Sequence, residues 1–238
     1  VWESQDSIPD DNSIGNMMLS IDDYVTGVIG EGVAASPNPV LGWVGSLANV
    51  SETSGYWIKV DNNILYESPI QSIQTYEDWI ADIHIGANLM AYPCLLSSDI
   101  VSDDILSMPN QFEEFFHTGI IGEGVAAYYN PVLGWIGSLA DVGLVPGNGY
   151  WMKSTEDFIG FNWECPELTC DQSNLRQVLV DYEIPEELEY VQSSQQAFYF
   201  ISEIDLNQAS INEGDWIVAM HDNNVVGARA WNGLFTDI

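Results

Sequence analysis

The chain has 238 residues, length for one large domain or two to three small ones. Its 46% hydrophobic and 12% aromatic content excludes a disordered chain. Thirty-six acidic residues against four basic ones (Lys59, Lys153, Arg176, Arg229) give a net charge of -32, which argues against nucleic acid and anionic membrane as partners.

Such self-repulsion is relieved by salt or divalent cations, so a saline or calcium-bearing extracellular setting is expected. No run of 18 apolar residues exists, so no membrane-inserted helix is expected. The chain opens at Val1 with neither an initiator Met nor a signal peptide, which suggests a processed product or a piece of a longer chain.

In chain order, residues 11–25 read as a helical piece. Thr26–Val50 then reads as strand, glycine turn, strand, with VLGWVGSL as a tight apolar turn. GYWIKV and NILYES follow as strands. A linker occupies 68–79, and HIGANLMAYPCLL (84–96) is strand-like. Residues 101–116 read as two short helical pieces divided at Pro109, with Ser102, Asp103 and Asp104 at the N-cap. Thr118–Val142 then repeats Thr26–Val50 at 20 of 25 positions, 92 residues on. GYWMKS and DFIGFNW close the second copy as strands. Gly55-Tyr56-Trp57 aligns with Gly149-Tyr150-Trp151 after a two-residue insertion. By this alignment the opening strand of the first copy falls upstream of Val1. Near the end, DWIVAMH and VVGARAW flank Asp222-Asn223-Asn224, a hairpin signal.

The fold class expected is mainly β: two tandem antiparallel β-rich repeats of about 92 residues with short helices, followed by a small β-sandwich-like module. The divisions are 1–67 (first copy), 68–163 (linker and second copy) and 164–238 (C-terminal module, read as incomplete). Arrays of this kind build surfaces or scaffolds more often than a single catalytic pocket.

The repeated Gly-Glu-Gly (30–32 and 122–124) lacks the lysine and hydroxyl of a phosphate loop. A turn in which both glycines take unusual backbone angles is expected, with the glutamate facing solvent or capping a neighbour. Glu31 and Glu123 are the duplicated carboxylates that an acid–base hydrolase would use. His84, His117 and His221 have no repeat counterparts, which argues against a shared catalytic or metal role.

The duplicated aromatics Trp43 with Trp135, Trp57 with Trp151 and Tyr56 with Tyr150 have two uses. They can fill a small core, or they can present flat rings to sugars; core is the favoured use. Acidic turns, with Asp103, Asp104 and Asp222 foremost, are candidate weak Ca2+ ligands, although none has the EF-hand spacing. Cys165 and Cys170 are close enough to close a small disulfide loop; Cys94 would stay a buried thiol or pair with either. Asn49-Val50-Ser51 is a formal glycosylation sequon.

The segments IGEGVAAxxNPVLGWxGSL, GYWxK and NLMAYPC resemble repeats of large secreted or surface proteins of marine bacteria. EGDWIVAMHDNNVVGARAWNG is similar to a module of surface proteins exported through sorting-domain secretion. The resemblance implies a secreted or cell-surface location; it carries no catalytic residues over to this chain. The function expected is a non-enzymatic extracellular structural protein, a self-associating surface-layer or filament subunit joined by strand addition. The alternative is a carbohydrate-binding, adhesive module using the duplicated Trp and Tyr residues. A hydrolase using Glu31 and Glu123 ranks last.

Overall fold

A computed structural model describes residues 12–62, 79–94, 114–116, 118–165, 184–191, 197–206, 210–212, 214–231, 233 and 236–238. Of the two helical pieces expected over 101–116, the described part is a single 3-10 turn, Glu114–Phe116; the rest, with Asp103 and Asp104, lies outside the described residues, as do NILYES, most of the 68–79 linker and Cys170. The fold is mainly β with antiparallel sheets and two short helices.

The first copy opens with a single helical turn, α1 (Ile14–Met17). Strands β1 (Val25–Gly30), β2 (Val33–Asn38), β3 (Gly42–Gly45) and β4 (Trp57–Val60) follow, in sheet order β3-β2-β1-β4. Next come β5 (Ala81–Ile83) and β6 (Gly86–Ala91). The second copy contributes β7 (Ile120–Gly122), β8 (Val125–Asn130), β9 (Gly134–Ile136), the helix α2 (Ser138–Val142), β10 (Gly149–Ser154) and β11 (Phe158–Phe161). Its sheet runs β6-β10-β7-β8-β9, while β11 pairs with β5.

The two copies keep one register. Val28, Ile29 and Gly30 face Ala35, Ala34 and Val33, and Ile120, Ile121 and Gly122 face Ala127, Ala126 and Val125. Their small fastenings recur too. Asn38 and Asn130 each accept two backbone amides through Oδ1, shaping the Pro-Val-Leu-Gly turn. Ser46 and Ser138 hydroxyls accept the Ala34 and Ala126 amides at 3.1 and 3.3 Å.

Two expectations need correction. The Gly-Trp-x-Gly segment is a third strand, not a turn, because the asparagine cap completes the reversal before Gly42 and Gly134. In Gly-Glu-Gly only the second glycine has an unusual backbone angle, φ +67 at Gly32 and +65 at Gly124. The first is small for a different reason. A Cβ at Gly122 would lie 2.8 Å from the Tyr150 ring, and one at Gly30 would lie 3.0 Å from Tyr56.

Each copy has its own core. Ile14, Met18, Ile21, Val25, Val28, Ala35, Leu47 and Val50 fill the first. The second is larger and aromatic, with Trp79, Tyr92, Phe116, Phe161 and Trp163 in edge-to-face or tilted contact. It is closed by a disulfide between Cys94 and Cys165, which replaces the expected Cys165–Cys170 bridge. Cys94 follows β6 and Cys165 follows β11, strands of two different sheets, and their Cα atoms lie 5.3 Å apart.

Short strands β12 (Phe200–Ile201) and β15 (Thr236–Asp237) pair near the C-terminus. The expected hairpin is β13 (Trp216–His221) and β14 (Asn224–Ala230). Asp222 and Asn223 form its two-residue turn with φ 47 and 67, the primed geometry that suits the strand twist. This part docks on the second copy. Buried Asp237 accepts the Ser138 amide at 2.8 Å and its hydroxyl at 2.7 Å. Arg229 donates to the Gly124 carbonyl, and Phe200 sits edge-on to Tyr128.

Candidate functional site

The site grows out of the joint between the copies. Strand β6 pairs along one side with β10, Leu89 to Trp151 and Ala87 to Lys153. On its other side the first copy supplies partners. The Gly55 amide donates to the Leu89 carbonyl at 2.9 Å, and the Ala91 amide donates to the Thr53 carbonyl at 3.2 Å. Glu31 reaches across from its turn to accept the Leu89 amide at 2.8 Å and to pair with His84 Nε2. Trp79 adds a bond from its indole N–H to the Glu52 carbonyl. Gly55 and Gly149, equivalent residues, meet so closely that a Cβ on either would lie about 3 Å from the other's Cα.

Period-two alternation sorts the side chains of β10. Tyr150, Met152 and Ser154 point into the core, so Trp151 and Lys153 face outward. Trp57 of the first copy closes over that outer face. Trp57, Trp151, Lys153, Ala87, Ile121 and Gly119 line a cleft of about 280 Å³. Thr118 also borders it, its hydroxyl donating to the Lys153 carbonyl at 2.7 Å.

The other duplicated aromatics do structural work. Tyr150 is buried, and its hydroxyl accepts the Val145 amide at 2.8 Å; Tyr56 holds the Ser51 amide in the same way. Burial pushes the Tyr150 phenol above its ordinary pKa, opposed by the bonds from Val145 and Asn148. Trp135 lies in the second core beside Tyr129, and Trp43 packs over Gly15 of α1. Among the six candidate ring residues, Trp57 and Trp151 share a cleft.

Glu31 and Glu123 go to different surroundings. Glu31 is bonded into the joint, whereas Glu123 is exposed at its turn. His84 is held above its ordinary 6.5 by the Ile85 carbonyl first, then by Glu31, with Asp157 adding and slight desolvation opposing. Among the described residues no group of three His, Cys, Asp or Glu side chains gathers to hold a metal. Asp222 stands exposed at the hairpin turn with His221 as its ion-pair neighbour.

The joint itself escapes sequence reasoning; the signal for it was the unmatched histidine, His84, just before a strand. No protein family, curated protein or solved structure matches the chain. Among the described residues no helix is long and apolar enough to cross a membrane.

Proposed function

We propose that the chain is a non-enzymatic, secreted or surface-exposed structural protein whose copies act as building blocks for self-association. One observation carries the reading: the first copy bonds through its backbone to the outer side of β6, the strand that opens the second copy's sheet. It is an isolated antiparallel bridge, Ser54 to Met90, and strand addition between chains would extend the same kind of pairing. Strand β4 has β1 on one side and, among the described residues, no named strand on the other, whereas its counterpart β10 has β6 there. The turn tips add an adhesive feature. Val40 and Leu41 are 87% and 74% exposed, and the equivalent Val132 and Leu133 are 88% and 58% exposed. Sedimentation and electron microscopy of the intact chain across salt and concentration test this. Assemblies that grow with concentration are expected; monomers dispersed at high concentration overturn it.

A second reading, glycan binding, is favoured by the meeting of Trp57 and Trp151 in one cleft. Quenching of Trp fluorescence by oligosaccharides would support it.

A further inference from the structure

We propose that the cleft between the two copies takes a saccharide ring carrying an anionic group, stacked against Trp151 and Trp57 and paired with the Lys153 ammonium. The proposal rests on the glycan reading and adds the chemical class of the ligand.

The charge pattern carries the argument. The chain has 36 acidic residues and four basic ones, nine acids for each base. Two of those four, Lys59 and Lys153, stand two residues after the duplicated tryptophans, in Trp57-Ile58-Lys59 and Trp151-Met152-Lys153. Strand alternation puts tryptophan and lysine of each pair on the same sheet face. Among the described residues neither lysine lies within ion-pair distance of a carboxylate, while Arg229 does pair, with Asp237 at 3.6 Å. The rest of the cleft wall brings no carboxylate beside Lys153: Ala87, Ile121 and Gly119 carry no negative charge.

Size and chemistry agree. A volume of about 280 Å³ lies at the lower end of small-ligand sites, which suits one ring of a chain rather than a wrapped polymer. The C–H face of a pyranose stacks on an indole, and its carboxylate or sulfate meets the ammonium. The net charge of -32 is screened beyond about 8 Å at physiological salt, and the charged residue that lines the cleft is Lys153. The first copy repeats the face with Trp57, Lys59 and Ile29. That Trp57 already meets Trp151 in the cleft, and Lys59 does not line it, so one site per chain is expected.

Titration calorimetry and Trp fluorescence of the intact chain at about 0.15 M salt provide the test, with tetragalacturonate and its fully methyl-esterified form as probes. The acid form is expected to bind one to one and the ester about tenfold more weakly. Lys153→Met should weaken the acid form by about the same factor and leave the ester unchanged; Lys59→Met should change neither. Equal binding of acid and ester, or an indifferent Lys153→Met, overturns the anionic assignment while leaving the glycan reading standing. Silence toward both probes and toward a sulfated tetrasaccharide overturns both.

Discussion

The Glu31 carboxylate accepts the backbone amide of Leu89 at 2.8 Å, so a turn of the first copy caps an edge of the second copy's sheet. Its sequence counterpart, Glu123, is exposed like Glu31 but makes no such bond among the described residues. Replacing Glu31 by Ala should therefore cost about 1–2 kcal/mol, the worth of a partly buried charge-assisted bond. Glu123→Ala should fall within about 0.5 kcal/mol of the parent. Urea unfolding of the two variants side by side checks the contrast.

His84 makes the joint sensitive to pH. Its partners raise the folded-state pKa above 6.5. A raised value means that the stabilisation is full below about pH 6.5 and is lost as pH climbs through the folded-state value. The difference in Tm between the parent and His84→Gln should thus shrink from about pH 6 to about pH 8. A difference that stays flat or grows would show that protonated His84 gains nothing from the Ile85 carbonyl and Glu31 together.

The disulfide joins residues 71 apart. Chain entropy assigns such a bridge about 4 kcal/mol, set against about 2 kcal/mol for the short Cys165–Cys170 loop. Cys94→Ala should accordingly destabilise the second copy strongly, whereas Cys170→Ala should leave an intact Cys94–Cys165 bridge. Peptide mapping without reduction, combined with thermal melts, distinguishes the two pairings.

Tyr150 and Tyr56 hold corresponding amides, but in different surroundings. Tyr150→Phe leaves the Val145 amide without its acceptor in a part-buried place and should cost about 1–2 kcal/mol. Tyr56→Phe frees an exposed Ser51 amide that water can serve, so its cost should be under about 1 kcal/mol. Denaturant midpoints of the paired variants measure this.

Asp237 anchors the C-terminal segment through the Ser138 amide and hydroxyl and the Arg229 guanidinium. Asp237→Ala leaves Arg229 without its carboxylate partner, at a cost of about 3 kcal/mol. Hydrogen exchange should accelerate in the 216–230 hairpin before it does so in the 120–136 strands. Uniform acceleration across both would mean that the segment does not depend on this anchor.

Much of this architecture can be read in the residues because it is local. The Gly-Glu-Gly turns and the Asp222-Asn223 hairpin each depend on a few neighbouring side chains. So does the alternation that turns Trp151 and Lys153 outward. What escapes is long-range. Glu31 and Glu123 have nearly identical flanks, and only the third-dimensional neighbour, β6, separates their roles. The short apolar Gly-Trp-x-Gly runs suit turn or strand equally until the sheet supplies a partner. Closeness in sequence favours Cys170 for Cys165, whereas the fold brings up Cys94 from 71 residues away. The cleft is composite, so neither copy alone contains it.

Tension running along the backbone would pass from Cys94 directly to Cys165, bypassing everything between them, β7 to β11 included. The sulfur link withholds a reserve of up to about 240 Å of extensible chain. A thiol reductant would release that slack, turning a short tether into a long one without cutting the polypeptide.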